Sequence, residues 1–198
     1  RTCRRMPASC SPAGWLVSIL SAAAWGTLVS AGHVASQSQL TTTFFSNNGG
    51  SEGGMVFFDV VVANPLGITV KKLDINTVST SGELAVFLTP SGFTGVAGSS
   101  AAWTQVADGT LVPAGLDSPS EVCLGAGFHL APGSYGIAMT GASISHRYTN
   151  GGPGVPSAIT NADLSLAIGA TSNTPFGGAQ FLPRLWNGSL HYEVGSTT

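Results

Sequence analysis

Met55-Val-Phe-Phe-Asp-Val-Val-Val-Ala63, then Asn64-Pro-Leu-Gly67, then Ile68-Thr-Val-Lys-Lys-Leu-Asp-Ile-Asn76 reads as two extended segments separated by turn residues. The first is built from β-branched and aromatic residues and is apolar at both odd and even positions. A strand has that pattern when both of its faces are covered. Asp59 breaks it, either as a residue facing solvent or as a buried acid with a structural partner. In the second segment Ile68 and Val70 lie on one parity, Leu73 and Ile75 on the other. A β-bulge at Lys71-Lys72 absorbs one residue and turns both pairs inward.

The same texture continues outward in both directions. Strands are predicted at Leu40–Phe45, Met55–Ala63, Ile68–Thr77, Glu83–Thr89, Trp103–Leu111 and Glu121–Leu130. Five more follow at Gly133–Thr140, Ile144–Tyr148, Leu164–Ile168, Gln180–Trp186 and Ser189–Val194. A short helical turn fits Ser99–Trp103. The Gly-rich stretches Asn47–Gly54, Thr89–Ser100 and Gly151–Ser157 read as surface loops. No fixed repeat recurs, which excludes a solenoid or propeller. The expected fold is an all-β antiparallel sandwich of the jelly-roll kind.

Asn187-Gly188 is the strongest turn signal, because both residues tolerate the positive φ of a type I′ hairpin. That hairpin would set Trp186 opposite Ser189, Leu185 opposite Leu190, Arg184 opposite His191 and Pro183 opposite Tyr192. Leu185, Leu190, Tyr192 and Val194 then form a core face. Arg184, Trp186, Ser189, His191 and Glu193 form a polar face with one large ring.

The chain has 198 residues, of which 8% are charged and 27 are glycine. An average soluble protein carries about 25% charged residues. This excludes coiled coils, Glu/Lys-rich bundles and charge-driven disorder. Seven Lys and Arg residues are too few for the clustered positive charge a nucleic-acid partner needs.

Arg1, Arg4 and Arg5 precede Trp15–Val29, fifteen residues without a charge. A basic region, a short apolar run and small residues after it make a secretory signal peptide. It is assigned to residues 1–36, with cleavage after Ser36 or, alternatively, Ala31. Residues 37–198 are then one exported domain carrying four basic and nine acidic residues, a net charge of −5. It holds no second long apolar segment and so no transmembrane helix. Cys3 and Cys10 leave with the signal, so Cys123 is expected to be a buried, inert thiol.

Several pieces together resemble a β-rich domain of exported bacterial proteins. They are Gly54-Met-Val-Phe-Phe-Asp-Val, Ile68-Thr-Val-Lys-Lys-Leu-Asp, Ala101-Ala-Trp-Thr and Leu130-Ala-Pro-Gly-Ser-Tyr-Gly. The series continues through Tyr148-Thr-Asn-Gly, Asn161-Ala-Asp-Leu-Ser and Pro175-Phe-Gly-Gly. It ends with Phe181-Leu-Pro-Arg-Leu-Trp-Asn-Gly and His191-Tyr. The resemblance spans residues 40–194 in order. It implies a secreted or surface-displayed sandwich and brings no established activity and no catalytic residues.

Chemistry is sparse. There is no Gly-x-Ser-x-Gly elbow, and no two of His129, His146 and His191 lie at metal-ligand spacing. Calcium suits a Gly/Asn/Asp-rich exported protein. Yet no ligand motif appears, and Asp74, Asp108, Asp117 and Asp163 read as turn or solvated residues, so no cofactor is expected. The sequon Asn187-Gly-Ser reads as turn chemistry rather than a glycan site. Trp103, beside Ser-Ser-Ala-Ala, reads as core.

Recognition by aromatics remains. Trp186, with Arg184, His191, Glu193 and Tyr148, forms the candidate ligand-binding set, and the alternative for Trp186 is a cover over one end of the sandwich. Arg184 and Glu193 would also suit a surface ion pair. The expected function is a non-enzymatic structural or adhesive domain of the bacterial surface or extracellular matrix. Its partner would be a polysaccharide, a surface protein or a second copy of the chain. The alternatives are a carbohydrate-binding module on Trp186 and a secreted hydrolase.

Overall fold

A computed structural model describes residues 37–195. The segment read as a signal peptide, residues 1–36, lies outside the described residues. The chain is all-β there, with fourteen strands. They are β1 (Gln37–Thr41), β2 (Asn48–Gly49), β3 (Met55–Val62), β4 (Ile68–Ile75), β5 (Glu83–Pro90), β6 (Thr104–Val112) and β7 (Ser120–Leu130). Then come β8 (Gly133–Thr140), β9 (Arg147–Asn150), β10 (Ala158–Thr160), β11 (Leu164–Ala167), β12 (Gly169–Thr174), β13 (Gly177–Trp186) and β14 (Gly188–Val194). A 3₁₀ turn at Ser100–Ala102 occupies the predicted helical site. No helix among the described residues is long and apolar enough to cross a membrane.

Pairing is antiparallel throughout, in the order β1-β14-β4-β7-β6-β5-β8-β3-β12-β13-β9-β2. β11 also pairs with β3, and β10 lies beyond it. β6 passes from one half to the other: Thr104–Thr110 run beside β5, and Leu111 and Val112 beside β7. The sheet curls so that one face of β3 meets the far half. Val56, Phe58, Val60 and Val62 share a core with Ile68, Val70, Leu73, Ile75, Val122, Leu190 and Tyr192.

The other face of β3 is covered too. Met55 and Phe57 pack with Phe93, Ala97, Trp103, Ala138 and Ala170 in a second, smaller core. This is the physical reason β3 is apolar at both parities. The Thr89–Ser100 stretch is therefore a lid on that core and not only a surface loop, because Phe93 and Ala97 are buried in it. Trp103 closes it as a packed residue, and its Nε1 donates to the Val96 carbonyl at 3.1 Å. Asp59 falls between the two readings, partly exposed yet with a structural partner. It is half-buried, its Oδ1 accepts the Phe93 N–H at 2.8 Å, and burial holds its pKa above the ordinary carboxylate value.

The β4 bulge lies where the two lysines place it. His191 pairs with Lys72 and Tyr192 with Val70, so Lys71 is the extra residue. Ile68, Val70, Leu73 and Ile75 are all buried in consequence.

Tyr192 fastens β14 to the loop before β11. Its hydroxyl donates to Asp163 Oδ2 at 2.8 Å and accepts from Asn161 Nδ2 at 2.7 Å. Burial first, and then the Asp163 carboxylate, push its pKa up to about 12. Tyr192→Phe leaves those two partners short of one hydrogen bond each. A loss of about 1–2 kcal/mol is expected in a denaturant titration, and an unchanged midpoint would contradict it.

Candidate functional site

The residues singled out from the sequence fall into two groups on different strands. Trp186 pairs with Tyr148 between β13 and β9, and the Arg184 guanidinium sits 5.8 Å from the Tyr148 ring centroid. His191 and Glu193 lie on β14, whose neighbours are β1 and β4.

The expected Asn187-Gly188 hairpin does not form. β13 and β14 are not paired, and neither Asn187 nor Gly188 has positive φ. The chain crosses here from one half of the sheet to the other. Asn187 is fully buried and ties the crossing down. Its Nδ2 donates to the Phe45 carbonyl at 3.0 Å and its Oδ1 accepts from Thr149 Oγ1 at 3.1 Å. The glycine is needed for close approach, because a Cβ at 188 would run into Trp186 Cζ2 and the Asp74 carbonyl. Arg184 and Glu193 consequently stand on strands that do not pair, and no cross-strand ion pair joins them.

Trp186 is a core residue. It is 2% exposed and stacks on Phe58, centroids 4.9 Å apart and planes 14° from parallel. Tyr148 is also buried, so neither ring presents a face to a sugar. Arg184 folds back, its Nη1 donating to the Pro183 carbonyl at 2.8 Å.

On the outer side of β14 and β4, His191 joins a charged chain. Its Nε2 lies 2.6 Å from Asp74 Oδ2, and Lys72 Nζ stands 3.5 Å from Asp74 Oδ1 and 3.0 Å from Glu121 Oε2. Burial opposes ionisation of both Lys72 and Asp74, yet their opposite-charge partners win. The Lys72 pKa is held up and the Asp74 pKa down. Glu193 is half-buried, level with Gln37 and Thr69. Lys72, Asp74 and Glu121 each meet an opposite charge and His191 is held by Asp74, which is what a structural network requires.

Of the other aspartates named from the sequence, Asp117 accepts hydrogen bonds from Ser46 and Asn76 and Asp163 from Asn64 and Tyr192, while Asp108 is exposed on β6 opposite Ala85. Among the described residues no group of three or more His, Cys, Asp or Glu side chains is placed to hold a metal ion. Cys123, half-buried in β7, is disulfide-bonded, which corrects its reading as an inert thiol. A hollow of about 440 Å³ is lined by Glu52, Val78, Ser79, Thr80, Ser81, Ser143 and Ser145.

A different surface stands out on β13. From Gly177 to Arg184 the strand pairs on one side with β12, and only Arg184–Trp186 pair on the other side with β9. Residues 178–182 therefore leave one edge unpaired among the described residues. All five are exposed, Phe181 at 38% and Leu182 at 65%. The hairpin that carries this edge is held at its tip. Phe176 packs edge-on against Phe87 at 5.1 Å and tilted against Trp103 at 6.0 Å.

Of the other edges, β1 is met by Asn161 Nδ2, which donates to the Gln39 carbonyl, and β2 is two residues long. Residues 178–182 of β13 carry no charge, and Arg184 is drawn away over Tyr148. The sequence signal was present but unread: Leu164–Pro183 contains no charged residue.

No family model matches this chain, and no curated protein matches it. Among solved structures it is similar to a clostridial cysteine protease, Cwp84, after propeptide cleavage, at 11% identity and a TM-score of 0.49. The match covers 80% of this chain and 40% of that one. A likeness of that extent assigns neither a fold nor an activity.

Proposed function

We propose that this chain is an exported, non-enzymatic structural or adhesive domain of a bacterial surface or matrix, and that it works by association along the open edge of β13. The observation that carries the reading is the uncharged, exposed run 178–182 with one unpaired side, on a hairpin anchored by Phe176. Such an edge offers backbone N–H and C=O groups to an added strand, and alternate side chains supply selectivity. The burial of Trp186 and Tyr148 counts against the carbohydrate-binding alternative. We also read the curled sheet as a two-layer sandwich of the jelly-roll kind. Support comes from the two-sided burial of β3 and the passage of β6 between halves. The basic and apolar N-terminal segment supports export.

Leu182→Lys places an ammonium on the edge without touching the core. In a bacterial host producing the full chain, the parent is expected outside the cytoplasm and retained with surface material. The variant should be released into the medium at least about tenfold more, at equal expression and melting temperature. Equal partitioning of the two proteins, or retention of both in the cytoplasm, contradicts the reading.

A further inference from the structure

The partner chemistry can be taken one step further, on the reading that β13 is the contact edge. We propose that its occupant is the same edge of a second copy of this chain, paired antiparallel about Gln180. Three features of the strand select this arrangement.

The first is side-chain size. A two-fold axis at Gln180 sets Ala179 opposite Phe181 and Gly178 opposite Leu182. Each large apolar side chain then meets a small one, four times over the symmetric pair. The two Gln180 amides face each other, and each carries both a donor and an acceptor. Cross-strand neighbours on one face are the stabilising unit of a sheet.

The second is the position of Pro183. It has no N–H to give to a ladder and tolerates only an edge or the end of one. Pairing about Gln180 uses 178–182 and leaves Pro183 just outside. A shift of the axis to Leu182 would place Pro183 inside the ladder, opposite Phe181. At the other end Gly178 has φ +68, a left-handed bend at which regular extension stops. The usable ladder is thus bounded on both sides and centred on residue 180.

The third is charge. The run 178–182 brings no charged side chain to its own copy, and the nearest, Arg184, is engaged with the Pro183 carbonyl and lies over Tyr148. Like-charge contact therefore does not arise at the ladder, although the exported part is acidic as a whole. An antiparallel edge contact of this kind is isologous, so it closes at two copies and does not propagate from this edge. Five residues a side make a small interface, so the dimer forms weakly and in a concentration-dependent way.

Sedimentation velocity over a concentration series tests this with four samples of purified chain: the parent, Ala179→Lys, Phe181→Glu, and an equimolar mixture of the two variants. Both sites are exposed, and the melting temperatures should match the parent. The parent is expected to dimerise on concentration, and each variant alone to dimerise at least about tenfold more weakly. The mixture should recover, because the introduced ammonium at 179 of one chain then faces the introduced carboxylate at 181 of the other. A mixture that stays monomeric while the parent dimerises overturns the register. A parent that stays monomeric overturns the second copy as partner. If Leu182→Lys still releases the chain from surface material in that case, the edge reading survives with another partner. If it does not, both fall.

Discussion

Trp186→Ala is expected to lower the unfolding free energy by about 3–5 kcal/mol, the range for removing a large aromatic from a packed core. The ring is 2% exposed and stacked on Phe58, and it sits where the chain crosses between the halves of the sheet. Its loss opens a cavity beside Asn187, whose two hydrogen bonds hold that crossing. For a domain of this size the melting temperature should fall by roughly ten degrees. Trp186→Phe keeps the stack on Phe58 and should recover a large part of the loss. Thermal and urea unfolding of the three proteins provide the check. A change below about 1 kcal/mol for the alanine variant would mean that the ring is not packed as described.

The second large effect is expected on acidification. His146 is buried, and neither ring nitrogen has a hydrogen-bond partner among the described side chains. Burial pushes its pKa down from 6.5 to about 4. The unfolded chain therefore binds a proton at this residue before the folded one does. Its neutral form supports the fold fully above pH 6.5, and that support is lost as pH falls toward 4, in total about 3 kcal/mol. Asp59 acts in the opposite direction, since its raised pKa eases folding as it protonates. The Asp74 carboxylate, held below its ordinary value, keeps its contribution until lower pH. Urea midpoints at pH 7, 5.5 and 4.5 should fall steadily for the parent. For His146→Leu they should be flatter, whatever that variant's stability at pH 7. Parallel curves for the two proteins would assign the acid sensitivity elsewhere.

The β character of the chain was legible because it is written locally. β-Branched and aromatic runs bounded by Gly, Pro and Asn mark strands, and the two-parity apolar pattern of Met55–Val62 announces cover on both faces. The Lys71-Lys72 phase slip placed a bulge correctly for the same reason: the period of two is strict, and any break in it has to be absorbed. Asn187-Gly188 was misread because turn propensity is also local, whereas the partners of β13 and β14 lie far off in sequence. Arg184–Trp186 pair with β9 and Gly188–Val194 with β1 and β4, and those long ladders outweigh a two-residue turn. Gly188 serves the close approach to Trp186, a use that sequence alone does not separate from positive φ.

β12 was missed because Gly169-Ala-Thr-Ser-Asn-Thr lacks large apolar side chains, and its place between β3 and β13 supplies the order instead. The candidate site moved for a related reason. A large ring next to a polar loop reads as a binding platform, and only packing reveals that Trp186 is enclosed. The β13 edge carries its information in what is missing, namely charge, and in pairing that stops at Arg184. The first is readable from sequence, and the second needs the fold.

Amide hydrogen exchange, read residue by residue by NMR on dilute and concentrated samples of the same chain, addresses the open edge itself. Amides between 178 and 182 that point away from β12 should exchange fast in the dilute sample. They should become protected on concentration, while the β3 and β4 amides remain slow in both. If those edge amides are already protected in the dilute sample, or remain unprotected in the concentrated one, the β13 edge is not where this chain associates.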